Sequence, residues 1–197
     1  MRRLLVLCGL FAFGLWALQV TPYLNPANDA GRYMVLGESL ALSGDLRLLN
    51  DIRHPLDTLY PPGFPAIIAF WLKVTGRDPG GVVVPVKLTQ IALLIGSLPL
   101  LYLLLKRARL PFPYIAAALF AAAFSPALIA YANEVMSEIP LLFLCLASVV
   151  LVESATLPLP SEARAAREGA GGWVNPPPIN RVLSLLCAAA AFLVRSA

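Results

Sequence analysis

The stretch Val84 to Arg109, VPVKLTQIALLIGSLPLLYLLLKRAR, is an apolar run with a single charge, Lys87, near its start and a basic cluster, Lys106, Arg107 and Arg109, at its end. At about 1.5 Å of helix per residue, Val84 to Leu105 crosses a hydrocarbon core of roughly 30 Å. A cationic end on such a run marks the cytoplasmic side, because short basic loops stay inside. That one segment gives both a span and a direction, and the rest of the chain can be laid out from it.

Toward the N-terminus, Leu4 to Val20 is apolar except for Gln19 and follows Arg2-Arg3. A cleaved signal peptide would share this basic start and apolar run. No small-x-small cleavage site follows, and the run exceeds the usual ~7–15 residues, so an uncleaved anchor is the expectation. If Arg2-Arg3 and the 106–109 cluster both lie inside, one span leads out and one leads back between them. Phe64 to Leu72, apolar but short, then lies at the outer face or re-enters from it. Toward the C-terminus, Tyr114 to Ala132 and Ile139 to Val152 are further spans, and Val182 to Val194 begins a fifth.

The predicted fold is therefore an all-α polytopic membrane protein. It has about five transmembrane helices, an outer-face amphipathic helix and a short re-entrant or surface helix. Residues 1–20 are the first anchor, 21–83 an extracytoplasmic loop, and 84–153 spans two to four. Residues 154–181 form a flexible Pro-, Gly- and Ala-rich inner loop, and 182–197 start the fifth span. The predicted location is the cytoplasmic (inner) membrane, multi-pass, with the N-terminus inside.

Composition supports this layout. Hydrophobic residues make up 59% and charged residues 13%, against roughly 45–50% and about 25% in soluble domains. Mean hydropathy is +0.77. The net charge of +4 sits in short loops beside spans, so it speaks of membrane orientation and not of nucleic acid. Cys8, Cys145 and Cys187 each lie in an apolar run, with neither a disulfide framework nor a metal-ligand spacing, and read as packing residues.

Polar chemistry concentrates in the outer loop. Thr21 to Pro65 carries five acids and three bases. Asn28 or Asp29 can cap a helix that runs to Ser43, with Gly44 as its stop. Tyr33, Met34, Leu36, Leu40 and Ala41 share one face by helical spacing, and Arg32, Glu38, Ser39 and Ser43 the other, the pattern of a helix lying on a membrane surface. In Tyr60-Pro61-Pro62-Gly63-Phe64-Pro65 two prolines fix φ and Gly63 is placed to turn the chain back to the bilayer. Taken singly, Asp29 reads as a helix cap, Arg32 as an anchor to lipid phosphates, and His54 as a solvated loop residue. Glu134 and Glu138 flank the start of a span, where a carboxylate is costly unless paired or wet; their plain reading is a pair of interfacial caps.

The order of these features resembles the GT-C class of integral-membrane glycosyltransferases. The order is an anchor, an outer loop with Asp29 at the head of a helix, Tyr60 to Pro65 entering a short apolar helix, a basic inner hairpin, and Met136-Ser137-Glu138 opening a span. Within that class the nearest likeness is to bacterial relatives of dolichyl-phosphate-mannose protein mannosyltransferases and of the aminoarabinose transferase acting on lipid A. The resemblance implies sugar transfer from a polyprenyl-phosphate-linked donor to a lipid, glycan or protein acceptor at the outer face, among membrane lipids. Asp29 matches the first-loop acidic position, a general base or a group that positions a metal or acceptor. Arg32, Arg53, His54 and Lys87 are candidates for the donor phosphate. Tyr33 and Tyr60 could stack on or hydrogen-bond a sugar, and Glu138, with Glu134 nearby, would be the second acid. The class often pairs two adjacent carboxylates, whereas Asp29 is followed by Ala30, which leaves a divalent metal an open question.

Relatives in the class have many more spans. The resemblance therefore implies an N-terminal portion, inactive by itself, with the ending Leu193 to Ala197 read as an interruption. A small polytopic lipid-binding, transport or assembly subunit without catalysis stays open beside the enzyme.

Overall fold

The computed structural model describes residues 14, 16–25, 29–57 and 59–156. The greater part of the first anchor, the inner loop from residue 157 and the fifth span lie outside the described residues. Within them the chain is helical with no named strand. The helices are α1 (Ala30–Ser43), α2 (Gly63–Thr75), α3 (Val83–Arg107), α4 (Phe112–Ala123), α5 (Pro126–Ala132) and α6 (Glu138–Thr156).

α1 ends where the sequence places its end. Gly44 adopts φ 78° and its N–H returns to the Leu40 carbonyl, a left-handed stop that suits glycine. At the other end Asp29 occupies the cap position but its side chain makes no capping hydrogen bond. The buried face holds Ala30, Tyr33, Met34, Leu36 and Gly37, while Leu40 and Ala41 are half-buried. Ser39, assigned above to the polar face, is fully buried. Its hydroxyl donates to the Asp45 carbonyl at 2.9 Å and accepts the Arg47 N–H at 3.0 Å, so it ties the following loop back to the helix.

α2 begins at Gly63 with Pro62 in the cap position. Gly63 is not among the residues with positive φ, so the turn is made by the prolines without using its freedom. α1 and α2 meet closely at Gly37, where an added Cβ would lie 2.5 Å from Ile68 Cγ2. Tyr33, Leu36, Phe64, Ile68 and Leu72 form one core with Val82, Val83 and Val86 of the next element and Val135 beyond it.

Pro79–Arg107, a short 3-10 turn running into α3, is the one helix among the described residues long and apolar enough to cross a membrane. Its 29 residues span about 40 Å at about 1.5 Å per residue. A soluble core helix of this kind would be mostly buried, whereas 22% of its apolar window is buried inside the protein. Pro99 lies inside α3, as apolar spans tolerate.

The expectation of about five spans is only partly met. Tyr114 to Ala132 is broken: α4 and α5 meet at 45° across Phe124 and Ser125. The physical reason is Pro126, which lacks the N–H to continue the ladder and crowds the preceding turn. Ser125 caps the new helix, accepting the Leu128 N–H at 3.5 Å. Counted as one bent span, the pair is a second crossing. α2 and the apolar part of α6, Glu138–Val152, are shorter apolar helices.

α6 packs along α3, and the contacts fix their relative direction. Gln90 bonds the Met136 carbonyl, Gly96 faces Phe143, and Arg107 bonds the Val150 carbonyl. Both residue numbers rise together, so the two helices run parallel. The α4–α5 segment between them returns the chain from one end of α3 to the other. A second core of Trp16, Ile91, Leu94, Ala123, Ala132 and Ile139 joins the end of the first segment to α3, α5 and α6. As a result α1, α2, the start of α3 and the 133–138 connector gather at one end of α3. Lys106, Arg107 and Arg109 sit at the other.

Candidate functional site

Four of the predicted site residues come together at that end of α3. Asp29 is exposed at the head of α1, and Tyr60, 8% exposed, lies within reach of its charge. Burial pushes the Tyr60 hydroxyl above its ordinary range; the nearby Asp29 carboxylate pushes the same way, and Arg32 opposes them. The Arg32 guanidinium lies 4.6 Å over the Tyr60 ring, a cation–π contact. Tyr33 meets Tyr60 and Phe64 edge-on, at centroid distances of 5.1 and 4.9 Å. Its hydroxyl donates to Ser137 Oγ at 3.0 Å. That bond ties the first helix of the loop to the Met136-Ser137-Glu138 opening of α6, more than a hundred residues away in sequence.

Asp57 is the member that sequence reasoning missed. Its Oδ2 accepts from Arg32 Nε at 2.8 Å with the carboxylate side chain 1% exposed, and its Oδ1 accepts the Leu59 N–H at 2.8 Å. The hydrogen bond with Asp57, helped by its charge, holds the Arg32 guanidinium above its ordinary value. One of Arg32's five N–H groups is thus committed, while 37% of the side chain stays exposed. The same guanidinium is held in place and open to an anion.

Arg53 and His54 are exposed at the tip of the 44–62 loop, which an isolated bridge between Arg47 and Leu56 closes. Their hydrogen bonds stay local: Arg53 N to Asp51 Oδ1 at 2.9 Å, and His54 N to the Asp51 carbonyl at 3.0 Å. His54 has φ 44°, a tight-turn position. Tyr33, 1% exposed, is placed to position the connector.

The remaining three predicted residues lie along the 133–138 connector and the start of α3. Lys87 is 2% exposed. Its ammonium donates to the Thr21 carbonyl (2.9 Å), Thr21 Oγ1 (3.2 Å) and the Tyr23 carbonyl (2.7 Å). Those bonds match the three protons of an ammonium, so Lys87 pins the 21–23 segment to α3. Glu134 Oε1 accepts from Asn25 Nδ2 at 3.1 Å. Glu138 Oε2 is buried with no hydrogen-bond partner, as is Oε1 of Gln90, whose Nε2 donates to the Met136 carbonyl at 2.6 Å. A cavity of about 330 Å³ opens between the 19–25 segment and α5, at Lys87 and Glu134 and not at Asp29. Among the described residues no three His, Cys, Asp or Glu side chains group as metal ligands.

Two expected results follow from this geometry. Replacing Arg32 by Ala leaves the buried Asp57 carboxylate without its cation. Loss of one partner from a buried pair costs roughly 3–5 kcal/mol. Arg32 is partly exposed and Asp57 keeps the Leu59 N–H, so a loss of about 2 kcal/mol is expected, read by denaturant unfolding in detergent. The second concerns Tyr60. Because its folded pKa is raised, its contribution to stability is intact below the ordinary tyrosine pKa of about 10 and fades as pH rises through the higher folded value. A tyrosinate absorbance titration, with Tyr60→Phe as the difference sample, should show Tyr60 ionising above the ordinary tyrosine range, and Asp29→Asn should lower it in part. Ionisation of Tyr60 within the ordinary tyrosine range would contradict its burial.

The arrangement defines a helical chain with one helix able to cross a membrane and an acid–guanidinium–phenol cluster at one end of it. No protein-family model, no curated protein and no solved structure matches the chain.

Proposed function

We propose that this chain belongs to an integral-membrane glycosyltransferase and carries the acid that activates the acceptor. The donor is a polyprenyl-phosphate-linked sugar, and the reaction lies at the outer face of the cytoplasmic membrane. The single observation that carries the reading is the cluster itself. An exposed carboxylate, Asp29, lies within electrostatic reach of Tyr60 and of a guanidinium, Arg32, which stacks on the Tyr60 ring and which Asp57 fixes in place.

The chemistry asks for those two groups together. An acceptor hydroxyl attacks the anomeric carbon and its proton passes to the Asp29 carboxylate. The bond between that carbon and the phosphate oxygen breaks, and its electron pair leaves on the polyprenyl phosphate. Arg32 meets the growing negative charge with its exposed N–H groups. Tyr60 carries the Arg32 guanidinium on its ring, and the Tyr33–Ser137 bond keeps the α6 opening and its Glu138 in register with the loop. The basic cluster at the far end of α3 supports placing the site on the outer side.

The runner-up, a lipid-binding, transport or assembly subunit without chemistry, is favoured by one observation: the Arg32–Asp57 pair ties the loop to α1 with no need of a substrate. A photoreactive polyprenyl phosphate separates binding at the cluster from binding elsewhere. Labelling should fall on peptides between residues 29 and 60 and drop when Arg32 is replaced by Lys, which keeps the charge but loses the fork. Labelling confined to the apolar helices would sink the donor assignment.

A further inference from the structure

At the far end of α3 from the Asp29 cluster, the chain leaves the helix through a residue whose backbone conformation is unusual for its type. Arg109 has φ 58°, a left-handed conformation that glycine adopts without cost and other residues seldom do. Its N–H bonds the Lys106 carbonyl at 3.0 Å, and the Leu110 N–H bonds the Leu105 carbonyl at 3.3 Å. That is a helix stop of the kind glycine usually makes. Such outliers collect at functional sites, and the side chain that this one presents is an exposed cation.

Lys106 is exposed as well, with its ammonium 6.0 Å over the Tyr102 ring, while Arg107 is engaged with the Val150 carbonyl of α6. Among the described residues neither Lys106 nor Arg109 has an acid within ion-pair distance. The sequence has no acid between Asp78 and Glu134, and α6 brings one, Glu153, to this end. Three cations against one acid leave the surface positive, so it is complementary to an anion. The residues that follow are apolar and equally open to the outside: Leu110, Phe112 and Tyr114. A soluble phosphate would use the cations and leave those side chains in water. A phospholipid uses both, its phosphate on the cations and its acyl chains on the apolar side chains. The depth agrees. Lys106 and Arg109 lie at the end of a 29-residue apolar helix, where hydrocarbon gives way to head groups.

We propose that Lys106 and Arg109 hold the head group of an anionic diacyl phospholipid of the surrounding bilayer, with Leu110, Phe112 and Tyr114 along its chains. The site is at the opposite end of α3 from Asp29 and needs no sugar donor. It rests on α3 crossing the membrane and on no part of the proposed transfer. The test is native mass spectrometry of the full chain released from detergent micelles that contain phosphatidylglycerol, cardiolipin or phosphatidylcholine. The two anionic lipids should be retained at least about tenfold better than phosphatidylcholine, two cations each contributing about fivefold, and excess glycerol phosphate should not displace them. Arg109→Gly removes the cation at a position that suits glycine, so its thermal midpoint should not fall while the anionic preference drops about fivefold. Lys106→Gln should lower the preference by a similar factor. Lys73→Ala combined with Arg77→Ala, which removes exposed cations near the start of α3, should leave it unchanged. Equal retention of anionic and zwitterionic lipid, or undiminished preference in both Arg109→Gly and Lys106→Gln, overturns the proposal. So does loss of the preference in the Lys73 and Arg77 double variant, or displacement by glycerol phosphate.

Discussion

Asp29→Asn, introduced in the native gene and assayed in native membranes, is expected to lower sugar transfer by about 10²–10⁴-fold, the usual contribution of a positioned general base. Asparagine keeps the size and polarity of the side chain, but it cannot take a proton. The loss should therefore fall on the chemical step, with donor binding changed little. Asp29 is exposed and makes no capping bond, so insertion and folding should survive. Asp29→Glu should recover part of the rate. A drop in the amount of protein in the membrane, with normal transfer per molecule, would mean that Asp29 serves the fold.

The second large effect is on stability, and it has opposite signs at two glycines of one helix. At Gly37 an added Cβ would lie 2.5 Å from Ile68 Cγ2, 2.6 Å from Ile68 Cβ and 3.3 Å from the Pro65 carbonyl. The obstacle is the root of a β-branched side chain, which cannot swing away, so α1 and α2 must separate. Overpacking of this kind costs about 1–3 kcal/mol, and Gly37→Ala should fall near the upper end. At Gly31 nothing lies within 4 Å of the same atom. There Gly31→Ala should stabilise by about 0.4–1 kcal/mol, by restricting the unfolded chain. Denaturant midpoints of the two variants should move in opposite directions. Equal shifts would mean that α1 and α2 do not meet at Gly37.

What could be read from the sequence was what local chemistry decides. Asp29 and Gly44 bound α1 because an acid before an apolar period and a glycine after it are local signals. Tyr33, Met34 and Leu36 face the core because their spacing is helical. Val84 to Leu105 stands out through length and composition alone. The break before Pro126 was equally local, a Ser-Pro pair inside an apolar run, but uniform hydropathy outweighed it. Other features depend on tertiary contacts. Asp57 looks like any loop acid until the chain folds its carboxylate under Arg32. Lys87, a lone charge in an apolar run, invites a ligand; its partners are the Thr21 hydroxyl and the carbonyls of Thr21 and Tyr23, and backbone acceptors leave no mark in a sequence. Ser39 falls on the polar face by periodicity and is buried because the loop at Asp45 and Arg47 returns over it.

The most direct measurement is the turnover of a polyprenyl-phosphate sugar, labelled in the sugar, by native membranes from strains with and without the gene. The account predicts that free polyprenyl phosphate and labelled acceptor both accumulate in membranes that contain the protein and fall away in those that lack it. Equal turnover in the two membranes would contradict a role in sugar transfer.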